Sequence, residues 1–216
     1  MSGSLAGRRV LVSAGGTREP IDAVRFVGNR SSGRMGVALA EEARRREARV
    51  TLIASNLAVQ APEGVEVVEA PTAADVERET TARGGADVVI MAAAVADYRP
   101  AETEDAKRPK DEKRWQIELE PTVDVLRALG EGQRNGRLLV GFAAETGENG
   151  LERARQKLVA KKLDLIVYND VSKRDIGFDA AENEVVIMSA NGERRIEKAP
   201  KEEIAAAILD EVERLI

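Results

Sequence analysis

A long stretch rich in glycine and hydroxyl residues, from 15 to 36, contains the side chains best suited to bind an anion. It lies between the apolar run 10–12, typical of a buried strand, and a helical pattern at 37–43. At such strand–loop–helix junctions, unpaired helix N–H groups can donate hydrogen bonds to a phosphate, and small residues let the phosphate approach the backbone. No G-x-G-x-x-G pattern follows the strand, and the stretch is too long for a dinucleotide turn. A solvated loop is the alternative interpretation. The polar residues at the end of the strand are Arg18, Asp22, Arg25, Asn29, Ser31, Ser32 and Arg34.

A second segment follows the apolar run 88–91, where small residues lead into Asp97, Tyr98 and Arg99. Small side chains let a flat ring approach the backbone, and a carboxylate or backbone amide can bind the hydrogen-bonding edge of that ring. The pattern therefore predicts a base-binding segment. Close packing of a helix on the sheet would also explain the small residues.

Basic residues occur in two further places. The loop 101–114 is dense in mixed charge, which is typical of a mobile surface loop, but its position after the small-residue segment also makes it a candidate lid. Lys157 and Lys161 are four residues apart, so a helix places both ammonium groups on one face. Such a face is usually solvated. Here it follows the apolar run 138–143, and these cations together suit a polyphosphate.

Composition excludes several kinds of chemistry. The 216 residues include no cysteine and no histidine, which excludes a cysteine nucleophile, thiolate metal ligands and imidazole acid–base catalysis. Catalysis must then depend on positioning and on charge stabilisation by the remaining polar groups. The net charge of −5 argues against broad nucleic-acid binding. With no apolar run of about 18 residues and no signal-peptide pattern, we expect a cytoplasmic protein that does not enter a membrane.

Apolar runs alternate with helical patterns, which predicts an α/β fold with a mostly parallel sheet. Apolar residues make up 43% of the chain and aromatic residues 3%, as expected for an aliphatic core between layers. We predict a Rossmann-like three-layer sandwich, with a leader or tag remnant at 1–7 and a single domain at 8–216 that contains a mobile loop at about 101–114. The predicted strands are 9–13, 49–54, 65–69, 87–93, 138–143 and 163–168, and the predicted helices are 35–46, 73–83, 123–129, 150–162 and 201–216.

Two segments depart from this parallel pattern. Residues 184–188 and 194–198, joined through Asn191 and Gly192, predict an antiparallel hairpin, because Asn-Gly tolerates the positive φ of a tight turn. Residues 114–120 alternate between polar and apolar side chains, which predicts a half-exposed strand. A strand with an unpaired edge pairs readily with another chain, so we expect a homodimer.

Taken in order, these segments resemble the phosphopantothenoylcysteine synthetase (phosphopantothenate–cysteine ligase) domain of the bacterial bifunctional flavoprotein of coenzyme A biosynthesis. The resemblance spans nearly the whole chain. The matching residues are GGTREPID-x-VRF-x-x-N-x-SSG-x-MG at 15–36, AAAVADYR at 92–99, the lysine loop at 107–110, GFAAET at 141–146, Lys157 with Lys161, and LIVYNDV at 165–171.

The resemblance implies CTP-dependent ligation of 4'-phosphopantothenate and L-cysteine to 4'-phospho-N-pantothenoylcysteine. An acyl-cytidylate forms first, with release of pyrophosphate, and the cysteine amine then displaces CMP. Mg²⁺ is expected with the nucleotide, through ligands that the sequence leaves unknown. The flavin decarboxylase domain that precedes this domain in the bifunctional protein is not in the chain, so no FMN is expected. The family also implies a homodimer with Lys107 near its interface.

The resemblance further implies roles for individual residues. Asn29 would stabilise the acyl-cytidylate and Lys107 would act in the cysteine-dependent step, so these are the expected catalytic residues. Phosphopantothenate would be bound by Gly16, Arg25, Asn29, Ser31 and Ser32. The nucleotide would be bound by Met91, Ala92, Ala93, Asp97, Lys107, Val123, Asp124, Val125, Leu126, Phe142, Lys157 and Lys161, with the last two on the triphosphate.

Three positions depart from the family's pattern. Pro109 replaces the second lysine of the lysine loop, Val123 stands where the family has proline, and Glu47 stands where a glycine commonly precedes the second strand. The replacement of proline by Val123 most affects the nucleotide contacts that the resemblance implies for 123–126. Two other functions stay open: the same ligase using ATP, and a Rossmann-like module that binds a nucleotide without turnover.

Overall fold

The computed structural model describes residues 5–172, 180 and 182–216. Within these ranges the chain forms twelve strands and five helices. The strands are β1 (Arg9–Gly15), β2 (Arg18–Pro20), β3 (Phe26–Gly28), β4 (Arg49–Ser55), β5 (Glu66–Glu69), β6 (Val88–Met91), β7 (Tyr98–Pro100), β8 (Leu119–Pro121), β9 (Leu138–Glu145), β10 (Leu165–Asp170), β11 (Glu182–Ser189) and β12 (Gly192–Pro200). The helices are α1 (Arg34–Arg45), α2 (Ala73–Ala82), α3 (Val125–Glu131), α4 (Gly150–Ala160) and α5 (Lys201–Leu215).

Eight strands form one central sheet, in the order β12-β11-β10-β9-β6-β1-β4-β5. The strands from β10 to β5 are parallel, and β11 and β12 extend the sheet as an antiparallel hairpin. β1 lies between β4 and β6, with Val12 opposite both Leu52 and Ile90. Every residue of β6 is buried, as expected for a central parallel strand that is covered on both faces.

Helices cover both faces of the sheet. Successive residues of a strand point to opposite faces, so Val10 and Val12 pack with Leu39 of α1 and Ile208 of α5, while Leu11 packs on the other side. The helical residues buried on that second side include Val76 of α2, Val125 of α3 and Ala154 of α4. The predicted Rossmann-like three-layer α/β fold is therefore confirmed.

The predicted elements are present with small shifts at their ends. β11 and β12 pair from Glu182 opposite Pro200 to Ser189 opposite Gly192, which confirms the predicted hairpin. The strand predicted at 87–93 ends earlier, as β6. Two residues beyond the end of β6, the Ala93 N–H donates to a side chain, Ser13 Oγ, at 3.1 Å. It therefore does not continue the backbone ladder of the sheet.

Two short antiparallel hairpins stand outside the central sheet. β2 pairs with β3, so the stretch 15–36 is not a plain loop, and β7 pairs with β8. The strand predicted at 114–120 is shorter than expected, since only Leu119–Pro121 forms a strand. The Trp115 ring instead contacts the guanidinium groups of Arg25 and Arg108, whose Cζ atoms each lie 5.0 Å from a ring centroid. These contacts hold the segment away from a continuous ladder.

The amino end of the described chain packs onto the domain. Leu5, in the predicted leader, is fully buried, and its N–H donates to the Glu213 carboxylate at 3.3 Å. Residues 1–4 lie outside the described residues, and the division into leader and domain stays a prediction. In the described part of the chain, no helix combines the length and the apolar character that a membrane span requires.

Candidate functional site

A cleft of 610 Å³ opens where β6, β9 and β10 end. In parallel α/β sheets, ligands bind at this carboxyl edge. The cleft is formed by segments from distant parts of the chain, namely parts of 29–36, 91–97, 122–126 and 142–144, with Lys157 and Lys161 of the α4 region. The fold therefore brings the first stretch, the small-residue segment and the two lysines to a single site, whereas the charged loop 101–114 contributes no residue to the lining.

The amino end of α1 forms one side of the cleft. Gly33 is the N-cap at φ 81°, and no side chain caps the helix. A Cβ at position 33 would lie 2.4 Å from Leu57 Cδ2, so both the backbone angle and the available space require glycine. Gly33, Arg34, Met35 and Gly36 all line the cleft. The first-turn N–H groups and the helix dipole therefore favour an anion at this position.

Asn29 joins the first stretch to the small-residue segment. Its Nδ2 donates to the carbonyl oxygens of Ala94 at 3.4 Å and Val95 at 3.1 Å. Gly16 lies directly behind it, because a Cβ at position 16 would come within 2.6 Å of the Asn29 carbonyl oxygen. Glycine at 16 thus lets the Asn29 backbone lie against the end of β1, and Asn29 itself lines the cleft.

Hydroxyl groups from other elements fix the small-residue segment. Ser13 Oγ accepts a hydrogen bond from the Ala93 N–H at 3.1 Å, and Thr17 Oγ1 accepts one from the Ala96 N–H at 2.9 Å. The Thr122 hydroxyl donates to the Ala96 carbonyl at 2.6 Å. The segment is thus held from both sides where it lines the cleft.

Two lysines of the cleft are paired with carboxylates. Lys157 Nζ donates to Glu145 at 2.6 Å, and Lys161 Nζ donates to Asp124 at 3.0 Å. Burial raises the pKa of the Glu145 carboxyl, but hydrogen bonds from Lys157 and Arg153 outweigh this effect and hold the pKa below its usual value. The pKa of Asp124 is lowered in the same way, because the bonds that it accepts outweigh burial. Both carboxylates are therefore ionised at neutral pH, and an incoming phosphate must compete with them for the lysines.

Most of the predicted site residues line this cleft. Four of them, all within the described ranges, lie outside the lining, namely Gly16, Arg25, Ser32 and Lys107. Gly16 supports Asn29 from behind, Ser32 is 6% exposed, and Arg25 binds Asp22 and the Arg108 backbone. Lys107 is exposed on the charged loop. The predicted residues that do line the cleft are Asn29, Ser31, Met91, Ala92, Ala93, Asp97, Val123, Asp124, Val125, Leu126, Phe142, Lys157 and Lys161.

The cleft also contains polar residues to which the resemblance assigned no role, among them Arg34, which the sequence had already placed in the anion-binding stretch. Arg30 and Arg34 add positive charge beside Asn29. Lys201, the first residue of α5, is 3% exposed and donates from Nζ to the Ala180 carbonyl. Asn169 could have been identified from the sequence, because it lies at the end of an apolar strand. No local pattern identifies Lys201. The hairpin β11–β12 brings Lys201 to the cleft.

Two acidic side chains of the cleft, Asp97 and Asp124, fit a Mg²⁺ ion that is bound mainly by the phosphates of a nucleotide. Within the described residues, acidic side chains do not gather into a group of three or more that could hold a metal ion. Magnesium in nucleotide enzymes keeps several waters and is bound by phosphate oxygens with one or two carboxylates. Asp97 and Asp124 are two carboxylates that line the cleft. They fit this mode of binding and do not fit a cation held by protein ligands alone.

Comparison with known proteins shows which family the chain resembles over nearly its whole length. Residues 5–215 match the model of the DNA/pantothenate metabolism flavoprotein C-terminal domain. The chain is 43% identical to the coenzyme A biosynthesis bifunctional protein CoaBC of Bacillus subtilis, over 99% of this chain and 53% of that protein. It thus spans about half the length of the curated relatives that it matches.

Two solved structures have folds similar to that of this chain. The crystal structure of the C-terminal domain of CoaBC has a TM-score of 0.84 and 38% sequence identity, covering 99% of this chain and 98% of that one. A mutant of Cab2 in complex with phosphopantothenate-cysteine shares the fold, with a TM-score of 0.79 at 18% identity, covering 96% of this chain and 86% of that one. The chain belongs to the family of the DNA/pantothenate metabolism flavoprotein C-terminal domain.

Proposed function

We propose that this chain joins 4'-phosphopantothenate to L-cysteine in a CTP-dependent step of coenzyme A biosynthesis. The observation that supports this best is the single cleft that contains Asn29, the segment 92–97 and the pair Lys157 and Lys161. Family membership and the likeness to a bifunctional protein of coenzyme A biosynthesis give further support. The Cab2 complex supports the substrate class only through its shared fold.

The first half-reaction activates the carboxylate of phosphopantothenate. A carboxylate oxygen attacks the α-phosphorus of CTP, and the bond from that phosphorus to the bridging oxygen breaks to release pyrophosphate. The product is a mixed anhydride, the acyl-cytidylate, in which CMP is a good leaving group. No enzyme nucleophile is needed, which agrees with a chain that contains no Cys and no His. The protein's part is to align the substrates and to stabilise charge.

The cleft offers cations for the triphosphate. Lys157 and Lys161 would exchange Glu145 and Asp124 for phosphate oxygens, and the amino end of α1 would add N–H donors. Each lysine is already positioned by its carboxylate, so little ordering is required when the nucleotide arrives. Magnesium bound by phosphate oxygens, with Asp124 as a protein ligand once Lys161 has moved to the phosphate, would supply further neutralisation of the departing pyrophosphate.

The two organic ligands would occupy different walls of the cleft. Cytosine would lie against Phe142 and the backbone of 91–93, with Asp97 at its polar edge and the residues 123–126 beside it. The phosphopantothenoyl part would lie at Asn29 and Ser31. Gly16 and Ser32 would support this wall from behind, because neither lines the cleft.

The second half-reaction forms the amide. The cysteine amine attacks the acyl carbon, CMP leaves with the electrons of the broken C–O bond, and the nitrogen loses a proton. Asn29 would release the carbonyls of Ala94 and Val95 and donate to oxygens of the acyl-cytidylate, whose charge grows during attack. Lys107 would act in this step from the charged loop.

The test is product formation by the purified chain with phosphopantothenate, cysteine, Mg²⁺ and either CTP or ATP. We expect mass spectrometry to show 4'-phospho-N-pantothenoylcysteine, with CMP and pyrophosphate released in equal amounts when CTP is supplied. Faster product formation with ATP would replace this proposal by the ATP-dependent ligase. Nucleotide binding in a calorimeter without product from either nucleotide would favour a non-catalytic binding module.

A further inference from the structure

The charged loop is attached to the turn between β2 and β3. The Thr103 hydroxyl donates to the Pro20 carbonyl at 3.1 Å, and the Glu104 N–H donates to the Ile21 carbonyl at 3.1 Å. These bonds join segments about eighty residues apart in the chain. The first part of the loop thus lies along the β2–β3 turn.

The same turn binds both backbone groups of the residue that follows Lys107. The Arg108 N–H donates to Asp22 Oδ2 at 3.3 Å, and Arg25 Nη2 donates to the Arg108 carbonyl at 3.1 Å. The first of these bonds holds the peptide between Lys107 and Arg108. Asp22 and Arg25 therefore fix the backbone from which the Lys107 side chain projects.

Asp22 is prepared for this contact by its own turn. Its Oδ1 accepts from the N–H groups of Val24 and Arg25, each at 2.8 Å, and its Oδ2 accepts from Arg25 Nη1 at 2.9 Å. The side chain of Asp22 is fully shielded from solvent. Burial raises its pKa, but the hydrogen bonds from Val24, Arg25 and Arg108 outweigh burial and lower the pKa below its usual value. The carboxylate is thus charged at neutral pH and bound on both oxygens.

Trp115, which follows the charged loop, contacts an arginine of the β2–β3 turn and an arginine of the loop. The guanidinium Cζ atoms of Arg25 and Arg108 each lie 5.0 Å from a Trp115 ring centroid, within the range of cation–π attraction. Arg25 therefore contacts the carboxylate, the loop backbone and the indole at once. A planar guanidinium can make these contacts together, whereas an ammonium group cannot. We call Asp22, Arg25, Arg108 and Trp115 the clasp.

We propose that Asp22, Arg25 and Trp115 are positioning residues that fix the loop backbone beside Lys107 for the amide-forming step. The role of Lys107 rests on the proposed function, whereas the clasp itself rests on the contacts above. A free loop would have to lose its backbone entropy each time Lys107 acted. The clasp lowers that cost because the backbone beside Lys107 is already fixed.

The variants Asp22→Asn and Arg25→Ala test this proposal, with Arg155→Ala as the matched control. An asparagine oxygen in place of Oδ1 still accepts from the turn, but the amide nitrogen in place of Oδ2 cannot accept from Arg108. Arg155 forms comparable pairs with Glu193 and Glu152 on another part of the surface.

Two measurements report on the clasp without any substrate. Trypsin cleavage after Lys107, Lys110 or Lys113 should be roughly tenfold faster in both variants than in the wild type and the control, because charge-assisted hydrogen bonds are lost. The emission of Trp115, the single tryptophan of the chain, should shift to longer wavelength and become easier to quench with acrylamide.

Activity then tests the positioning role. In the first turnover, the rate of amide formation should fall about tenfold in both variants while the rate of the pyrophosphate burst falls less than about twofold, the same pattern that we expect for Lys107→Gln. Arg25→Lys keeps the charge beside Asp22 but not the planar contacts, so it should recover only part of the loss.

The outcomes separate the clasp from the proposed function. Unchanged cleavage and emission in both variants would overturn the clasp, whatever the activity. Faster cleavage with undiminished amide formation would overturn the positioning role. A wild-type chain that forms no product would refute the proposed function and with it the role of Lys107, while cleavage and emission would still decide whether the clasp exists.

Discussion

Asn29 joins the first stretch to the small-residue segment, because its Nδ2 donates two hydrogen bonds to that segment. Replacing it with aspartate would put a carboxylate oxygen where Nδ2 now meets the carbonyls of Ala94 and Val95. That oxygen would repel the carbonyls and also the phosphate groups of a bound nucleotide. We expect Asn29→Asp to abolish amide formation from phosphopantothenate, CTP and cysteine, measured by mass spectrometry of the product.

The same substitution at Asn135 is the control for this prediction. Asn135 is exposed and precedes β9, at the end of the sheet opposite the cleft, with φ 47°. Aspartate tolerates such a left-handed backbone, so Asn135→Asp should keep its activity. Full activity in Asn29→Asp would refute the assigned role of Asn29.

At the scale of single residues, most of the residues predicted for the site line one cleft, but the sequence did not indicate the contacts they make. Lys157 and Lys161 line the cleft as expected, but no sequence pattern indicated that Glu145 and Asp124 already bind them. Arg25, for which the resemblance implies substrate binding, lies in the β2–β3 turn and donates to the backbone of the charged loop. Its partner Arg108 is 83 residues away. A contact over that distance depends on the fold, which local patterns do not describe.

The junction of α1 and α5 shows how charge joins two elements on the same face of the sheet. Arg46, the C-cap of α1, has a side chain only 15% exposed and pairs with Glu42, Asp210 and Glu213. Burial lowers the pKa of Arg46, but the carboxylates outweigh burial and raise it. Removing this cation would leave three acidic groups facing one another.

We therefore expect Arg46→Ala to lower the free energy of unfolding by about 2–4 kcal/mol, since removing one partner of a largely buried ion pair leaves charge uncompensated. Arg44→Ala is the matched control. Arg44 pairs only at the surface with Glu41, at 41% exposure for each side chain, and its loss should cost less than about 1 kcal/mol. Urea unfolding of both variants measures the difference. Equal and small losses would show that the Arg46 cluster adds nothing beyond a surface pair.

At the scale of elements, the long periodic segments were predictable and the short hairpins were not. β1 and β6 are continuous apolar strands, and α5 has a clear apolar face, so their patterns identify them. β2 and β3 contain three residues each, which is too few for a periodicity to be recognised. The alternation at 114–120 predicted a strand, but only Leu119–Pro121 forms one, and Trp115 contacts two arginines instead.

The surface of the whole molecule has apolar side chains around the two short hairpins. Phe26 of β3, Tyr98 of β7 and Leu119 of β8 are 50%, 54% and 43% exposed, and β7 lies against β2. Large apolar side chains gathered on one surface commonly mark an interface. This arrangement supports the proposed homodimer, with the loop that bears Lys107 emerging between β7 and β8.

We expect light scattering to show a dimer of the purified chain and a monomer for Leu119→Glu. A twofold interface brings the same patch of each protomer together, so this substitution would place two new carboxylates in or near the buried surface. Val159→Glu is the control, because Val159 is 77% exposed on α4, away from both hairpins, and this variant should remain a dimer. A wild-type monomer at working concentration would refute the dimer outright. A dimer that persists in Leu119→Glu would place the interface elsewhere on the molecule and would separate Lys107 from it.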